Sequence, residues 1–317
     1  MVTVKMFASR INAVWTPIAP AKQVKTHHGK GKKPLLVTLH DEKKKLSVFW
    51  DEKNDTAAVV NDTCHHRGAS LSHGVVGSGC VNCLYHGHKT NPKKRDVAVK
   101  DGIVWYNDTT FNSTDDEMHT SWEFDENQRM FTYVREFPRC NALYMQENTL
   151  DWAHLSHIHA FSFTQGDPEV VIREDGRAAS YIYCTSIPDT VLEVENEFWS
   201  TSTCLRFSFG PKDGKREQWF SLHFAFVPVG KDHTRIIVRV VRRVALWAGV
   251  VGDWALMLSN ELPLIEDRDI VQSIPFDRVW EDDHLCRDDA FLRLFREHVL
   301  KHSAEMVKHY AGYQYQS

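Results

Sequence analysis

From Lys33 to Val60, and again near residue 105, the chain alternates apolar and polar positions in short runs that polar turns separate. Leu35–Leu39, Leu46–Trp50 and Gly102–Tyr106 are such runs, rich in β-branched and aromatic side chains. This pattern is typical of antiparallel strands, in which successive side chains point to opposite faces of the sheet. We therefore predict a small antiparallel β structure for this part of the chain.

Along the rest of the chain, longer β-type runs give way to runs with helical spacing. The predicted strands are Met130–Arg135, Val170–Arg173, Ala179–Cys184, Val191–Phe198, Thr203–Phe209, Trp219–Val227 and Thr234–Val241. Val244–Ile274 and Asp288–His309 then repeat apolar residues at the spacing of a helix. Strands followed by helices predict the α+β class, with helices covering an antiparallel sheet.

A polar stretch, Asn107–Glu117, lies between these two patterns and contains few apolar residues. A chain of 317 residues is long enough for two domains of ordinary size. We therefore predict a linker here and two domains, covering residues 1–115 and 116–317.

Composition excludes several classes of protein. The net charge of −4, from 38 basic and 42 acidic residues, argues against a nucleic-acid scaffold. Val244–Leu258 is the most apolar stretch, but it contains Asp253 and is shorter than the roughly 20 residues that span a bilayer. The N-terminus has no signal-peptide pattern, and the seven scattered cysteines do not suggest a disulfide framework. We therefore expect a reducing, cytoplasmic location.

The chain contains two short pairs of candidate metal-binding residues, Cys64-x-His66 and Cys83-x-x-His86. Sixteen residues lie between the two pairs. Each pair can occupy the tip of a hairpin, so that two loops close over one metal centre. Two thiolates on one iron and two imidazoles on the other make a [2Fe–2S] centre of raised potential. The alternative from spacing alone is a zinc site, which the additional pair Cys80-x-x-Cys83 keeps open.

A second cluster of candidate ligands lies within Glu147–His159, which holds three histidines and two carboxylates. Two imidazoles and one carboxylate on one face of Fe(II) leave positions open for O₂ and substrate. On a regular helix Asp151, His154 and His157 share a face, because they are three residues apart. Spacing alone therefore favours His154 with His157.

The sequences around both clusters resemble those of the Rieske non-haem iron oxygenases. Cys64-His65-His66-Arg67-Gly68 and Cys83-Leu84-Tyr85-His86-Gly87 resemble the family's cluster motif, although His65 replaces a frequent proline and His88 a frequent tryptophan. Asp-x-x-His-x-x-x-x-His, preceded by Glu-Asn, resembles the family's iron motif. The resemblance spans nearly the whole chain and implies an N-terminal Rieske domain followed by a catalytic domain.

The resemblance implies that His154 and His159 bind the mononuclear iron, with His157 as the alternative. The third ligand is expected from Glu266-Asp267-Arg268-Asp269, where the alignment picks Asp267 and leaves Asp269 and Glu266 as alternatives. In the family, the residue at Asp151 bridges an iron-binding histidine to a cluster-binding histidine of the neighbouring subunit. The resemblance therefore implies a homo-oligomer, commonly a trimer.

The activity that the resemblance implies is that of a terminal oxygenase. Such an enzyme activates O₂ at Fe(II) and oxidises a small organic substrate, which the sequence does not name. Electrons from NAD(P)H would reach the cluster through a separate ferredoxin or reductase, since the chain has no dinucleotide-binding fingerprint. A single chain of this length favours a hydroxylating or demethylating monooxygenase over a dioxygenase.

Two other functions remain possible from the sequence. One is a Rieske electron carrier or redox sensor without oxygen chemistry, against which the second cluster of ligands argues. The other is a zinc-stabilised binding protein. The basic residues that follow the second ligand pair could form a docking face for an acidic electron donor, or a solvated turn; they are Lys89, Lys93, Lys94 and Arg95.

Overall fold

Two β-rich parts follow one another along the chain. The computed structural model describes residues 13–93, 96–113, 128–159, 166–173, 178–187, 189–243, 249–275, 280 and 283–311. Of the described helices, none is both long and apolar enough to cross a membrane.

The first part consists of three antiparallel sheets of three strands each. Their orders are β1-β9-β8, β2-β3-β4 and β5-β6-β7. One short helix, α1 (Ala21–His27), follows the first strand. The strands are β1 (Val14–Pro20), β2 (Leu35–Leu39), β3 (Lys44–Asp51), β4 (Thr56–Asn61), β5 (Val75–Val76), β6 (Val81–Asn82), β7 (Lys89–Thr90), β8 (Val97–Lys100) and β9 (Ile103–Asp108).

The second part is built on one antiparallel sheet of seven strands, in the order β10-β16-β15-β14-β13-β12-β11. The strands are β10 (Gln128–Pro138), β11 (Glu169–Ile172), β12 (Ala178–Ile187), β13 (Thr190–Trp199), β14 (Ser202–Pro211), β15 (Glu217–Gly230) and β16 (His233–Arg243). The helices are α2 (Ala142–Leu150), α3 (Leu155–Ile158), α4 (Gly249–Val271) and α5 (Ala290–Ala311).

Alternation along these strands separates two apolar faces of the large sheet. On one face Phe224 and Val238 pack against Met145 of α2 and Leu264 of α4. On the other face Ala225, Val227 and Ile237 join the core of the first part, which includes Val37, Leu46 and Trp105. The sheet therefore lies between its own helices and the first part.

Polar contacts also join the two parts. The Thr201 hydroxyl donates to the Trp15 carbonyl at 2.8 Å, and the His40 N–H donates to the Pro228 carbonyl at 2.9 Å. The His40 side chain lies between Asp108 Oδ2, 2.6 Å from Nε2, and the Tyr310 hydroxyl, 2.5 Å from Nδ1. Both His40 and Asp108 are fully buried, so the end of α5 is fixed to the first part.

The predicted α+β class is confirmed, and each predicted strand overlaps an observed one. The linker prediction is wrong for Asn107 and Asp108, which pair with β1 as the end of β9. The pattern of polar residues did not indicate a strand, because both residues are polar although Asp108 is buried against His40. The predicted boundary near residue 115 lies outside the described residues and stays a prediction.

Removing the Asp108 carboxylate should destabilise the protein. In Asp108→Ala, His40 loses its buried partner, so we expect the free energy of unfolding to fall by about 3 kcal/mol in urea titrations at pH 7. Asp167→Ala is the matched control, since Asp167 is an exposed carboxylate beside the exposed Arg287, and it should leave the unfolding midpoint unchanged.

The effect of Asp108 should also depend on pH. Burial raises the pKa of Asp108, but hydrogen bonds from His40 and Thr110 lower it by more than burial raises it. The pKa therefore lies below the usual 3.8. A carboxyl group with a depressed pKa stabilises the fold above its unfolded pKa, and this is lost as the pH falls through the folded value. The difference between wild type and Asp108→Ala should therefore persist at pH 5 and shrink below 3.8; a constant difference down to pH 2 would contradict this account.

Candidate metal sites

The first ligand pair and the second lie on two turns of the same shape. In one, the Gly68 N–H donates to the Cys64 carbonyl at 2.9 Å; in the other, the Gly87 N–H donates to the Cys83 carbonyl at 2.9 Å. Gly68 and Gly87 have φ of 75° and 72°, a conformation that side chains disfavour. The second turn is the tip of the β6–β7 hairpin. The four side chains are therefore presented from two equivalent loops.

The thiols and the imidazoles of this site lie at different depths. Cys64 and Cys83 are 2% and 3% exposed, whereas His66 and His86 lie at the surface. The two histidines face each other through Nδ1, at 3.2 Å. N–H groups of Tyr85 and His86 and the Cys64 side chain lower the pKa of the Cys83 thiol against the effect of burial. Two converging thiols inside and two converging nitrogens outside fit a [2Fe–2S] cluster with one iron on each pair.

A buried carboxylate that sequence reasoning missed supports the first turn. Asp62 accepts hydrogen bonds from the Ser47 hydroxyl at 2.6 Å and from the Ser72 N–H at 2.5 Å, and the Ser70 hydroxyl also donates to it. Its position two residues before Cys64 was the available signal. Because both of its oxygens are engaged, Asp62 fixes the entry and the exit of this turn.

The rim of the first site is exposed. Leu84 and Tyr85, between the second pair of ligands, are 69% and 59% exposed. The His88 ring lies 4.4 Å from the His66 ring, and the His65 ring lies 5.5 Å from that of His88. The two residues that depart from the family motif are thus surface neighbours of one ligand.

The second ligand cluster lies where α2 breaks. The helix ends at Leu150, and Asp151 has an extended backbone with φ −76° and ψ 112°. Its side chain accepts the Ala153 N–H at 2.8 Å, which starts a new turn that leads into α3. That short helix ends at Ile158, and His159 is again extended, with φ −92° and ψ 114°. The short helix α3 therefore ends just before His159.

This break places the two alternative histidines in different surroundings. The structure brings His154, His159 and Asp267 of α4 together, with possible ligand atoms all within 4.8 Å of one another. His157 is exposed on α3, and the shared face with Asp151 and His154 that regular spacing predicted does not form. The prediction failed because it assumed one continuous helix.

The geometry around Asp267 fits a metal ion. Asp267 Oδ1 is 3.6 Å from His154 Nε2 and 3.4 Å from His159 Nε2, too far for a good hydrogen bond to either. This oxygen is buried without a hydrogen-bond partner among the described residues, as is His154 Nδ1. An oxygen and two nitrogens that point into one small gap are the donor set of a site with two histidines and one carboxylate.

Further carboxylates and an amide surround these three residues. His159 Nδ1 lies 2.9 Å from Glu266 Oε2, and His154 Nδ1 lies 3.6 Å from Asp151 Oδ2. Burial raises the pKa of Asp267, although the two histidines and the Asn148 amide lower it. Burial raises the pKa of Asp151 as well. The neighbouring His154 side chain and the backbone N–H groups of Ala153 and His154 outweigh this effect, so the pKa is lowered overall.

The alternatives for the third ligand occupy other positions. Asp269 is 77% exposed and pairs with Arg268, so it points away from the histidines. Glu266 contacts the outer nitrogen of His159 and not the gap that Asp267 faces. Sequence reasoning named Glu266 only as an alternative ligand and missed this contact, for which the adjacent Glu-Asp pair was the signal.

Two sets of ion pairs hold the segments that carry the site. Arg242 and Arg129 bind Asp253 near the start of α4, at 2.8 and 2.6 Å, and Arg135 binds Glu261. All three arginines lie on the adjacent strands β10 and β16. Asp267 therefore occupies a fixed height above the sheet.

Helix α2 is held in turn by α5. Glu147 is buried, and its burial raises its pKa to about 7 despite two hydrogen bonds from Arg296. The Arg296 guanidinium donates to Glu147 at 2.5 and 2.9 Å and to Asp283 at 2.7 Å. Sequence reasoning missed this pair, although Glu147 begins the motif, because its partner lies 149 residues away.

The helix-facing side of the sheet below the site is apolar. Trp152 and Leu155 pack on Ile182 and Leu192. Phe207 of β14 and Phe220 of β15 stack at 4.3 Å and are only partly buried. Aromatic and aliphatic side chains therefore cover much of this face of the sheet.

Known proteins resemble this chain at three levels. The family model described as the Rieske [2Fe-2S] domain matches residues 14–99. The methylxanthine N1-demethylase NdmA of Pseudomonas putida is 23% identical over 289 residues, which cover 82% of this chain and 80% of that protein. The phthalate 4,5-dioxygenase oxygenase subunit of Pseudomonas putida is 26% identical over 171 residues, covering 47% and 37%. The crystal structure of dicamba monooxygenase bound to dicamba has the same fold, with a TM-score of 0.72, 17% identity and coverage of 96% and 99%.

Substitutions at the second site should remove one metal and leave the other. In His159→Ala we expect loss of the mononuclear iron, measured by metal analysis, with unchanged visible and EPR signals of the reduced cluster. His157→Ala is the matched control and should retain both metals, since its side chain points to solvent. Loss of both signals in His159→Ala, while His157→Ala keeps them, would contradict two separate sites.

Substitution of a buried thiol should have the reverse effect. Cys64→Ser should remove the cluster absorbance and its EPR signal, because serine does not replace a thiolate ligand on iron. The mononuclear site should still take up one Fe(II) or Co(II) per chain in equilibrium dialysis. Cys80→Ser, which alters a buried cysteine in the same part of the chain, should keep the cluster; its loss there would favour a site that includes Cys80.

Proposed function

We propose that this chain, which has a Rieske [2Fe–2S] domain and resembles the alpha subunits of Rieske non-haem iron oxygenases in sequence and fold, is the terminal oxygenase of a multicomponent system. That resemblance, predicted from the sequence, is confirmed. The relatives are oxygenases and demethylases, which supports an enzyme. The Rieske match also supports a [2Fe–2S] cluster over zinc.

The observation that carries the proposal is the convergence of His154, His159 and Asp267 in the same chain as the Rieske motif. Asp267 lies more than a hundred residues from the histidines in sequence, yet its buried oxygen faces both of them. A Rieske electron carrier has no use for such a group. An arrangement of this kind fits the oxygenase better than the carrier or redox sensor.

The groups bound at the two sites would divide the chemistry: Fe(II) held by two histidines and a carboxylate activates O₂, and the [2Fe–2S] cluster supplies electrons. The chain's own residues prepare these sites. Asp267 supplies the negative charge that offsets part of the charge of a divalent ion. Trp152 and the apolar face of the sheet would shield a bound organic substrate from water.

Electron transfer between the sites is proposed to cross a subunit interface. His66 and His86 face each other through Nδ1, so their Nε2 atoms point outward at the exposed rim. Asp151 has a side chain that is 29% exposed and one oxygen beside His154. The exposed rim of a neighbouring subunit's first site could therefore dock beside Asp151. The Asp151 carboxylate would then accept one N–H from His154 and one from a cluster-binding histidine of that subunit. A ring of three such contacts makes the proposed homotrimer.

A separate ferredoxin or reductase is the proposed electron donor. Lys89 and Lys93 lie beside the second turn, and Lys44 and Lys93 line one cleft of the first part together with Tyr106. Positive charge close to the cluster would speed encounter with an acidic donor. Lys94 and Arg95, named with them from the sequence, lie outside the described residues.

For the reaction we propose hydroxylation or oxidative demethylation in preference to dihydroxylation. The similarity to NdmA covers most of both chains, whereas that to the phthalate dioxygenase subunit covers less than half of each. We also propose a reducing, cytoplasmic setting, which the seven unpaired cysteines support. The domain boundary near residue 115 remains part of this proposal.

The activity can be tested with the purified protein, a plant-type ferredoxin, its reductase and NADPH. A panel of caffeine, dicamba and phthalate should give substrate-dependent O₂ uptake with at least one member, and formaldehyde release would identify demethylation. A cis-diol from phthalate would contradict the monooxygenase preference. Protein that contains zinc and no acid-labile sulfide would contradict the proposal itself.

Asp151→Asn tests the proposed junction between subunits. An amide accepts fewer N–H groups than a carboxylate, so turnover should fall at least about tenfold while both metals remain bound. Stopped-flow reduction of the cluster by the donor should be unaffected, since the donor reaches the cluster directly. Asp167→Asn, at another exposed carboxylate, is the control; equal turnover in both variants would show that the bridge is wrongly assigned.

A further inference from the structure

We propose that Glu266 is the positioning residue that fixes the tautomer of His159 and so creates a preformed half-site on α4. The inference rests on the proposed function, because it takes His154, His159 and Asp267 as the ligands of the mononuclear iron. Glu266 then orients a ligand without binding the metal itself. His154 and His159 differ in how firmly the outer ring nitrogen of each is held.

The His159 ring is held from both edges by consecutive residues of one helix. Its Nδ1 lies 2.9 Å from Glu266 Oε2, and its Nε2 lies 3.4 Å from Asp267 Oδ1. The ring is nearly buried, with a side-chain exposure of 9%. An ionised carboxylate only accepts hydrogen bonds, and a neutral imidazole carries one N–H. The contact with Glu266 therefore places the N–H on Nδ1 and leaves the lone pair of Nε2 beside Asp267.

Among the described residues, the corresponding contact of His154 is longer than that of His159. Its Nδ1 is 3.6 Å from Asp151 Oδ2, beyond a good hydrogen bond, and this nitrogen is buried without a hydrogen-bond partner among the described residues. The Asp151 side chain instead accepts the Ala153 N–H. The tautomer of His154 is therefore held less firmly than that of His159.

This difference divides the site into two halves. Glu266 and Asp267 lie on one helix, so any shift of α4 moves the ligand and the residue that orients His159 together. His154 lies on the turn that Asp151 begins, which is the proposed contact with a neighbouring subunit. We infer that His159 and Asp267 bind the metal first and set most of its affinity, and that His154 completes the site.

Three variants separate the hydrogen bond of Glu266 from its charge. Glu266→Leu removes both, Glu266→Gln keeps an acceptor for the Nδ1–H, and Asp269→Asn changes a neighbouring exposed carboxylate of the same helix. The purified chain, with its cluster intact, is stripped of mononuclear metal by a chelator. It is then titrated with Co(II) in anaerobic equilibrium dialysis, and the EPR of the reduced cluster and the melting temperature are recorded alongside.

We expect Glu266→Leu to weaken Co(II) binding by about 10- to 100-fold, as removal of an outer hydrogen-bond partner does. Glu266→Gln should recover most of this loss, and Asp269→Asn should bind as wild type. Unchanged affinity in Glu266→Leu would overturn the proposal. A loss in Glu266→Gln as large as that in Glu266→Leu would overturn it too, because charge and not the tautomer would then matter.

Direct ligand variants distinguish this proposal from the function on which it rests. His159→Ala and Asp267→Ala should each cost more affinity than Glu266→Leu, and His154→Ala should cost less than His159→Ala. Wild-type affinity in both His159→Ala and Asp267→Ala would overturn the assigned iron site itself. Equal losses in His154→Ala and His159→Ala would leave the iron site standing and contradict only the preformed half-site.

Discussion

A histidine binds a metal through one ring nitrogen, and it binds best when the N–H of the other ring nitrogen donates a hydrogen bond to a fixed acceptor. Both candidate metal sites of this chain are arranged around that constraint, in opposite ways. At the first site His66 and His86 converge through Nδ1 and leave Nε2 outward at an exposed rim. At the second, His154 and His159 turn Nε2 inward toward Asp267, and their Nδ1 atoms face Asp151 and Glu266. The imidazoles of the first site are thus exposed, whereas those of the second lie beside carboxylates of the same chain.

The large antiparallel sheet makes the second arrangement possible by fixing two separate helices over one face. Ion pairs from β10 and β16 hold α4, and the buried pair of Glu147 with Arg296 ties α2 to α5. These contacts set the distance between the broken end of α2 and Asp267, which no local sequence could set. The first part of the chain packs on the opposite face of the sheet and is fixed to α5 through His40, so the two candidate sites belong to one framework.

The sequence predicted the strands and the α+β class well, because alternation and helical spacing are local properties. It also named His154, His159 and Asp267, but through resemblance; regular helical spacing favoured His157. The spacing favoured the wrong surroundings for His157 because it assumed one regular helix. In the structure the helix ends at Leu150 and the Asp151 side chain accepts the N–H of a new turn, and hydrophobic periodicity does not indicate such a break. Asp62, Glu266 and Arg296 were not predicted in their observed roles, because each acts through a partner that only tertiary packing brings near.

This chain is proposed to hold two metal sites of different kinds, which ⁵⁷Fe Mössbauer spectroscopy of the reduced protein can distinguish directly. The account predicts a coupled [2Fe–2S] pair together with a separate high-spin Fe(II) component, in a ratio of about two to one. In Asp267→Ala only the second component should disappear. A single class of iron in the wild type, or loss of the coupled pair in Asp267→Ala, would contradict it.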